Sequence, residues 1–381
     1  MWRSSPDGRQ AGFTLIEVLV ALISLVIVLT LAAELLFATR TAARRQEIQV
    51  GARQTARGAV DYTTFLLRGA NDQSEVAGNS LALLFWVTRG NNPTPIQVSY
   101  DNNTNPNFAD VGTDIITFVR PTGAGAVTPA KWPGQQDAST QWWGFTLGCD
   151  GSADQSAHNM QLFQDLTSYD PDTGMSGLLL MVDDTGQMDF YQITNYHPNG
   201  SNATCCTNDP PGIHVNTTHG RSSGLNPPGG EPNMVNPRLI LGLEFMSLRV
   251  RNGWLEQKIG IFDPASDNPG TDFAPILPNV EDLQLAYIFN DGSVWNNLPT
   301  HTMATTAHVP THGTGAATDA SNITAIRITV TARAGEALTG AGNDRFLRPQ
   351  AENHDGATVR DRFFRYELSA VALLRNRLEG S

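Results

Sequence analysis

The chain has 381 residues and a formal charge of −12, with 35 Gly and 22 Pro. The charge is uneven: residues 1–12 carry +1 and residues 13–68 carry +2, which leaves −15 for everything beyond. So acidic a body lacks the basic patch that releases phosphate counterions, and no nucleic-acid partner is expected. Abundant Gly, Pro, Asn, Asp and Thr mark a β-rich domain with long loops.

The first twelve residues, MWRSSPDGRQAG, are polar and carry Arg3 and Arg9. From Phe13 to Phe37 the chain is mostly Leu, Val, Ile and Ala. Those positions span roughly 37 Å as a helix, enough to cross a hydrocarbon core of about 30 Å. The run is too long for the core of an ordinary cleaved signal, and no small-x-small cleavage site follows it. Basic residues lie on both sides, Arg3 and Arg9 before and Arg40, Arg44 and Arg45 after, so charge alone does not set an orientation. One acid stands near the start of the run. A carboxylate in hydrocarbon is expensive, which makes Glu17 a functional-site candidate. Glu34, near the outer end, reads as a side chain that snorkels to the interface or pairs with a nearby arginine.

The stretch Ala11-Gly12-Phe13-Thr14-Leu15-Ile16-Glu17, followed by VLVALISL, resembles the leader junction of type IV prepilins and pseudopilins. The resemblance implies cleavage by a prepilin peptidase after Gly12 and N-methylation of the new first residue, Phe13. It places Glu17 at the fifth mature position, where the family carries its glutamate. There the acid would pair with the terminal amine of a neighbouring subunit and set the register of a filament. Either charge alone in low dielectric is penalised, and the pair is strongly attractive.

The run TRTAARRQEIQVGARQTARGAVDYTTFLLRGA continues the helix. Ile48, Ala52, Ala56, Ala59, Thr63 and Leu66 recur at spacings of four, four, three, four and three, one stripe of a helix, with Arg53 and Arg57 on another face. Gly51 and Gly58 each weaken it by about 1 kcal/mol relative to alanine. The organisation expected is a leader over 1–12, a transmembrane and filament-core segment over 13–39, its amphipathic continuation over 40–69, and a head over 70–381. The fold class expected is α+β, a long N-terminal helix packed on an antiparallel, sheet-rich head.

Strands are predicted in LALLFWV, PIQVSY, DIITFV, GLLLMV, MDFYQI, RLILGLEFMSLRV, LEQKIGIF, LQLAYIF, TAIRITVTA and RYELSAVALL. Asn252-Gly253, between alternating arms, is the clearest hairpin turn, and Asp291-Gly292 is the second. Long loops are expected around 121–140, 198–237 and 299–320, where Pro, Gly, Asn and Thr dominate. Within the head, Arg249-Val250-Arg251-Asn252-Gly253-Trp254-Leu255, Asn279-Val280-Glu281-Asp282-Leu283 and the closing Val371-Ala372-Leu373-Leu374-Arg375-Asn376 resemble PilW-type minor pilins and J-type secretion pseudopilins. The closing phrase has one Leu more than is typical of the family, and residues 120–237 resemble nothing in it.

The resemblance implies a low-copy filament subunit that acts in priming assembly or at the tip. Its partners would be the prepilin peptidase, other minor pilins, the major pilin, the inner-membrane assembly platform and, before assembly, membrane lipid. The location implied is a single pass in a bacterial inner membrane with the head in the periplasm. A J-type pseudopilin is the near alternative. A membrane-anchored hydrolytic or ligand-binding ectodomain is the distant one.

No GxSxG, HExxH or GxxxxGK[ST] pattern occurs, and the chain is not expected to be an enzyme. Cys149 and the adjacent Cys205 and Cys206 allow one disulfide between Cys149 and either neighbour, a strained vicinal one between the neighbours, or none. His214 and His219 lie near the cysteine pair, but loop histidines explain them equally well. The acidic turns at 170–174 and 183–189 offer oxygen ligands to calcium without the spacing of a twelve-residue loop, so no cofactor is assigned.

Overall fold

The computed structural model describes residues 14–69, 83–84, 86–89, 92–127, 129–130, 142–145, 178–183, 188–192, 195–197, 214–216, 237–260, 262, 272–297, 323–338, 345–356 and 360–374. Helix α1 runs without interruption over Leu15–Gly69. At 1.5 Å per residue its 55 residues reach roughly 80 Å. No proline falls between Pro6 and Pro93 to break it, and Arg68 in its last turn complements the negative end of the helix dipole.

The strands follow in chain order. First come β1 (Leu83–Leu84), β2 (Trp86–Arg89), β3 (Asn92–Gln97), β4 (Ile116–Val127), β5 (Pro129–Ala130) and β6 (Trp142–Phe145). Next are β7 (Leu178–Asp183), β8 (Met188–Gln192), β9 (Asn195–His197), β10 (His214–Asn216), β11 (Pro237–Arg251) and β12 (Trp254–Ile259). The last are β13 (Ala274–Pro278), β14 (Val280–Phe289), β15 (Val294–Trp295), β16 (Ile323–Arg333) and β17 (Arg365–Leu373).

Two sheets carry the head. The larger follows the order β1-β4-β11-β12-β13, with the β7–β8 hairpin also attached to β11, and every pairing is antiparallel. The second follows β15-β14-β16-β17, again antiparallel. Each predicted strand has its counterpart among the strands, PIQVSY as β3, which pairs with β2 outside these two sheets, while β5-β6-β10-β9 form another small sheet. The expected loop over 121–140 is different at its start, because β4 continues to Val127. Pro121 pairs there with Leu243 at a register shift on β11, the kind of irregularity at which a sheet tolerates proline. The strand Ala274–Pro278 was not predicted. It carries Pro275 and Pro278, and it fits because β13 closes the edge of its sheet.

Helix and sheets share one core. Ala59, Val60, Leu66 and Leu67 of α1 pack with Phe118, Met246, Leu248 and Val250 of the larger sheet and with Leu285, Ile326, Ile328 and Val330 of the second. Of the predicted stripe, Ala52, Ala56, Ala59, Thr63 and Leu66 are buried and Ile48 is half-buried, while Arg53 and Arg57 are exposed. Asp114 ties the sheets together. Its backbone N–H donates to Leu283 O at 2.9 Å, and its carboxylate accepts from Leu285 N at 2.7 Å and from Asn102 N at 2.9 Å.

The Asn252-Gly253 turn forms as predicted, with both residues at positive φ, 53° and 73°. Asp110 fixes it, accepting from both turn amides at 2.9 and 3.2 Å. The Asp291-Gly292 signal also closes a hairpin, β14 to β15, through the longer loop Asn290–Ser293. Beside the first turn lies a small aromatic cluster of Tyr100, Phe108, Phe262 and Phe273. Arg249 enters this cluster at 1% exposure. Its guanidinium lies 3.6 Å over the Phe273 ring, while Nε donates to Glu256 and Nη1 to Phe108 O. Such complete pairing is what makes a buried cation tolerable.

Candidate assembly interface

Helix α1 is divided by what surrounds it. Between Leu15 and Phe37 its large apolar side chains are open, with Leu19 at 51% and Phe37 at 67%, whereas Ala56 and Ala59 are fully covered by the head. This is the one described helix long and apolar enough to cross a membrane, and none of its most apolar stretch is buried. So large an exposed apolar surface calls for covering by lipid or by other helices. The threonines in and just past this half satisfy themselves: the hydroxyls of Thr30, Thr39 and Thr41 donate to the carbonyls of Val26, Leu35 and Phe37, each at 2.8 Å.

Glu17 sits in the first turn of α1 and is exposed. Its Oε2 accepts from the backbone N–H of Thr14 and from the Thr14 hydroxyl, both at 2.9 Å, and Glu17 N donates back to Thr14 Oγ1 at 3.4 Å. That is a capping box, in which a threonine and a glutamate three residues later satisfy amides that the helix start leaves open. The sequence reading assigned Glu17 an intermolecular role and overlooked the local one. The signal was present in Thr14-Leu15-Ile16-Glu17 before an apolar run. Within an isolated chain the carboxylate is therefore engaged with its own helix, and any partner must compete with or add to those two contacts.

The buried half of α1 is fastened at several points. Arg44 Nη2 meets Glu336 Oε2 at 2.7 Å, Arg53 lies 5.4 Å over the Tyr366 ring, and the Tyr62 hydroxyl bonds Gln257. Arg57 pairs with Asp61 along the helix at 3.6 Å. Glu34 is exposed on the apolar half. Gly12, Phe13, Cys149, Cys205, Cys206 and His219 lie outside the described residues, as does the acidic turn at 170–174. His214 opens β10; of the acidic stretch 183–189, Asp183 ends β7 and Met188 and Asp189 open β8, while 184–187 lie outside the described residues. Among the described residues no three His, Cys, Asp or Glu side chains form a group that could hold a metal ion.

The other concentration of chemistry is the outer face of the second sheet. Asp282 and Gln284 on β14, Arg327 and Thr329 on β16 and Glu367 and Ser369 on β17 point away from the helix, and the segment 345–356 crosses over this layer. Arg327 Nε donates to Glu352 at 2.7 Å, and Thr329 Oγ1 donates to the same carboxylate at 2.9 Å. Burial, with Glu352 and Asp282 nearby, pushes the Glu367 carboxyl up. Arg365 holds the sheet's far corner, donating to Glu281 at 2.9 Å and to both oxygens of Asp361 at 2.6 and 2.7 Å. Glu352 is matched by Arg327, and Glu281 and Asp361 by Arg365, and the layer reads as the attachment of a strap.

No family model and no curated protein matches this chain. Among solved structures, a type IV-like pilin from Thermus thermophilus aligns over 59% of this chain and 96% of its own, at 12% identity and a TM-score of 0.23.

Proposed function

We propose that the chain is a minor pilin, a low-copy subunit of a type IV pilus that acts in priming assembly or at the filament tip. The observation that carries this reading is the division of α1 into an apolar half with no intramolecular cover and a half embedded in the head. Glu17 caps the start of the helix through Thr14, and its carboxylate also stands at the edge of the bare apolar half. Glu17 there, five residues beyond Gly12, gives the bare half a polar feature that other helices can read. Before assembly the same surface would be covered by the lipid of the inner membrane, with the head in the periplasm. Processing by the prepilin peptidase after Gly12 and methylation of Phe13 belong to the same proposal, as does assembly with other minor pilins, the major pilin and the membrane platform. The role is one of assembly, without catalysis.

Low copy number follows from bulk. The head beyond residue 70 has about 310 residues, and a subunit so large does not tile a crowded helical lattice. The deciding experiment has two parts. Intact-mass spectrometry in cells with and without the peptidase should give a mature chain that starts at methylated Phe13 only when the peptidase is present. Quantitative proteomics of sheared filaments should then find the chain far below the major subunit. A chain that still begins at Met1, or one as abundant as the major subunit, rejects the proposal. Recovery with secretion filaments instead of surface pili would favour a J-type pseudopilin.

A further inference from the structure

We infer that the groove where α1 passes from its bare half into the head binds the headgroup of a phosphoethanolamine lipid; the inference rests on the membrane-spanning reading of the bare half. The groove measures about 590 Å³ and is lined by Arg40, Arg44, Glu47, Gly51, Gly335 and Glu336. Its position along the helix is the first argument. Arg40 stands three residues past Phe37, the last large side chain of the exposed apolar run, and so about 4.5 Å further along the axis. A helix that fills the hydrocarbon up to Phe37 therefore presents Arg40 at headgroup depth.

The order of charge is the second argument. Arg40, Arg44 and Glu47 succeed one another at spacings of four and three, so they share one face of the helix. Arg44 is already bonded to Glu336 across the groove, while Arg40 and Glu47 have no ion pair among the described residues. Moving away from the hydrocarbon, the lining offers a free cation first and a free anion two turns later. A phosphoethanolamine headgroup presents the complementary sequence: its phosphate lies next to the glycerol and its ammonium further out. Arg40 would donate to the phosphate, and Glu47 would accept from the ammonium.

The same lining disfavours the other common headgroups. Among the described residues no aromatic ring lines the groove, so a quaternary ammonium finds there none of the π-surface that recognises it. A phosphoglycerol headgroup brings a negative charge without the ammonium that would answer Glu47 and Glu336.

The test uses the full-length chain in nanodiscs of equal parts phosphatidylethanolamine, phosphatidylcholine and phosphatidylglycerol, with retained lipid read by native mass spectrometry. Phosphatidylethanolamine should be retained about threefold to fivefold over each of the others, the scale of one exposed ion pair. Glu47→Gln should abolish the preference over phosphatidylcholine, and Arg40→Gln should lower retention of all three. Arg57→Gln, further along the helix, should change neither. Equal retention by the wild type, a preference for phosphatidylglycerol, or an unaltered Glu47→Gln variant would each overturn the inference. So would cross-linking from position 47 to a second subunit in the same discs. Free glycerophosphoethanolamine that bound the detergent-solubilised chain as well as the lipid does would overturn the membrane source. Insertion is scored separately by carbonate extraction, so failure to insert rejects the membrane reading, and insertion with indiscriminate lipid retention rejects this inference alone.

Discussion

His354 donates its Nδ1–H to Asp282 Oδ2 across 2.7 Å, and the direction of that bond follows from the other side of the ring. Nε2 lies 2.8 Å from Arg348 Nη2, and a guanidinium can only donate, so Nε2 must be the acceptor and Nδ1 must carry the proton. Asp282 is 1% exposed at its side chain and has Gln284 Nε2 on its other oxygen at 2.9 Å. The strap 345–356 thus lands on the sheet through a buried, directional contact, and the two residues should be energetically coupled.

The first prediction measures that coupling. His354→Ala should destabilise the head by about 1–3 kcal/mol, because a buried carboxylate loses one of its donors. Asp282→Asn should cost a similar amount, because its amide oxygen can accept from His354 Nδ1 while its NH2 then meets the Gln284 Nε2 donor. Urea unfolding of both single variants and the double variant should give a coupling energy of at least about 0.5 kcal/mol. Additive losses would mean that His354 and Asp282 do not act as a pair.

Asp114 supplies a pH dependence. Burial, first of all, and then the negative charge of Asp101 push its carboxyl well above the ordinary 3.8, against the opposing pull of the amides of Asn102 and Leu285. A folded value above the unfolded one means that the native state holds the proton more tightly. Its contribution to stability is then complete below 3.8 and is lost as pH rises through the raised value. The advantage of wild type over Asp114→Asn should therefore be larger near pH 4 than near pH 7, read from urea midpoints. A difference that grows with pH would reverse the assignment.

Much of this architecture is legible in the sequence. The spacing from Ile48 to Leu66 marks the buried stripe of α1, and Asn252-Gly253 marks its turn, because both are local devices whose geometry is set within a few residues. The strap is not legible. Asp282 and His354 are 72 residues apart in the chain, and nothing in either neighbourhood announces the other. The same holds for the burial of Arg249, whose carbonyl partner on Phe108 is 141 positions away. The strand Ala274–Pro278 is hidden by its prolines, which argue against a strand unless its place at a sheet edge is already known. Glu17 differs from these cases: its capping partner is three residues away, and its membrane setting drew attention from it.

Glycines give a contrast in sign. A Cβ at Gly58 would meet Leu277 Cδ1 at 3.8 Å, an ordinary contact, in the middle of a helix. Gly58→Ala should stabilise the protein by up to about 1 kcal/mol. At Gly112 the added carbon would lie 2.1 Å from His354 Nε2, on a backbone at φ +88°. Gly112→Ala should destabilise by about 1–3 kcal/mol through overpacking, with the strain of the left-handed backbone in addition. Thermal melts of the two variants should move in opposite directions; a shared direction would refute the packing argument at one of the two sites.

The capping box changes what substitutions at Glu17 can be taken to mean, and it supplies the control. Glu17→Ala removes both the cap and the charge; Glu17→Gln keeps an acceptor for Thr14 while removing the charge. Thr14→Ala does the reverse, losing the hydroxyl that serves as N-cap at a cost of about 1 kcal/mol to the helix start and leaving the carboxylate in place. If Glu17 neutralises a neighbour's terminal amine, co-assembly should fall most in Glu17→Ala, less in Glu17→Gln and least in Thr14→Ala. If it only starts the helix, Thr14→Ala and Glu17→Ala should be alike, and Glu17→Gln should be near wild type. Membrane insertion and leader cleavage should be normal in all three under the pairing reading, because neither needs the carboxylate. Recovery of partner minor pilins from detergent extracts, normalised to the inserted and cleaved chain, separates the two orders. Equal losses in Thr14→Ala and Glu17→Ala would retire the intermolecular pair and leave the capping box as the sole role of an acid in this segment.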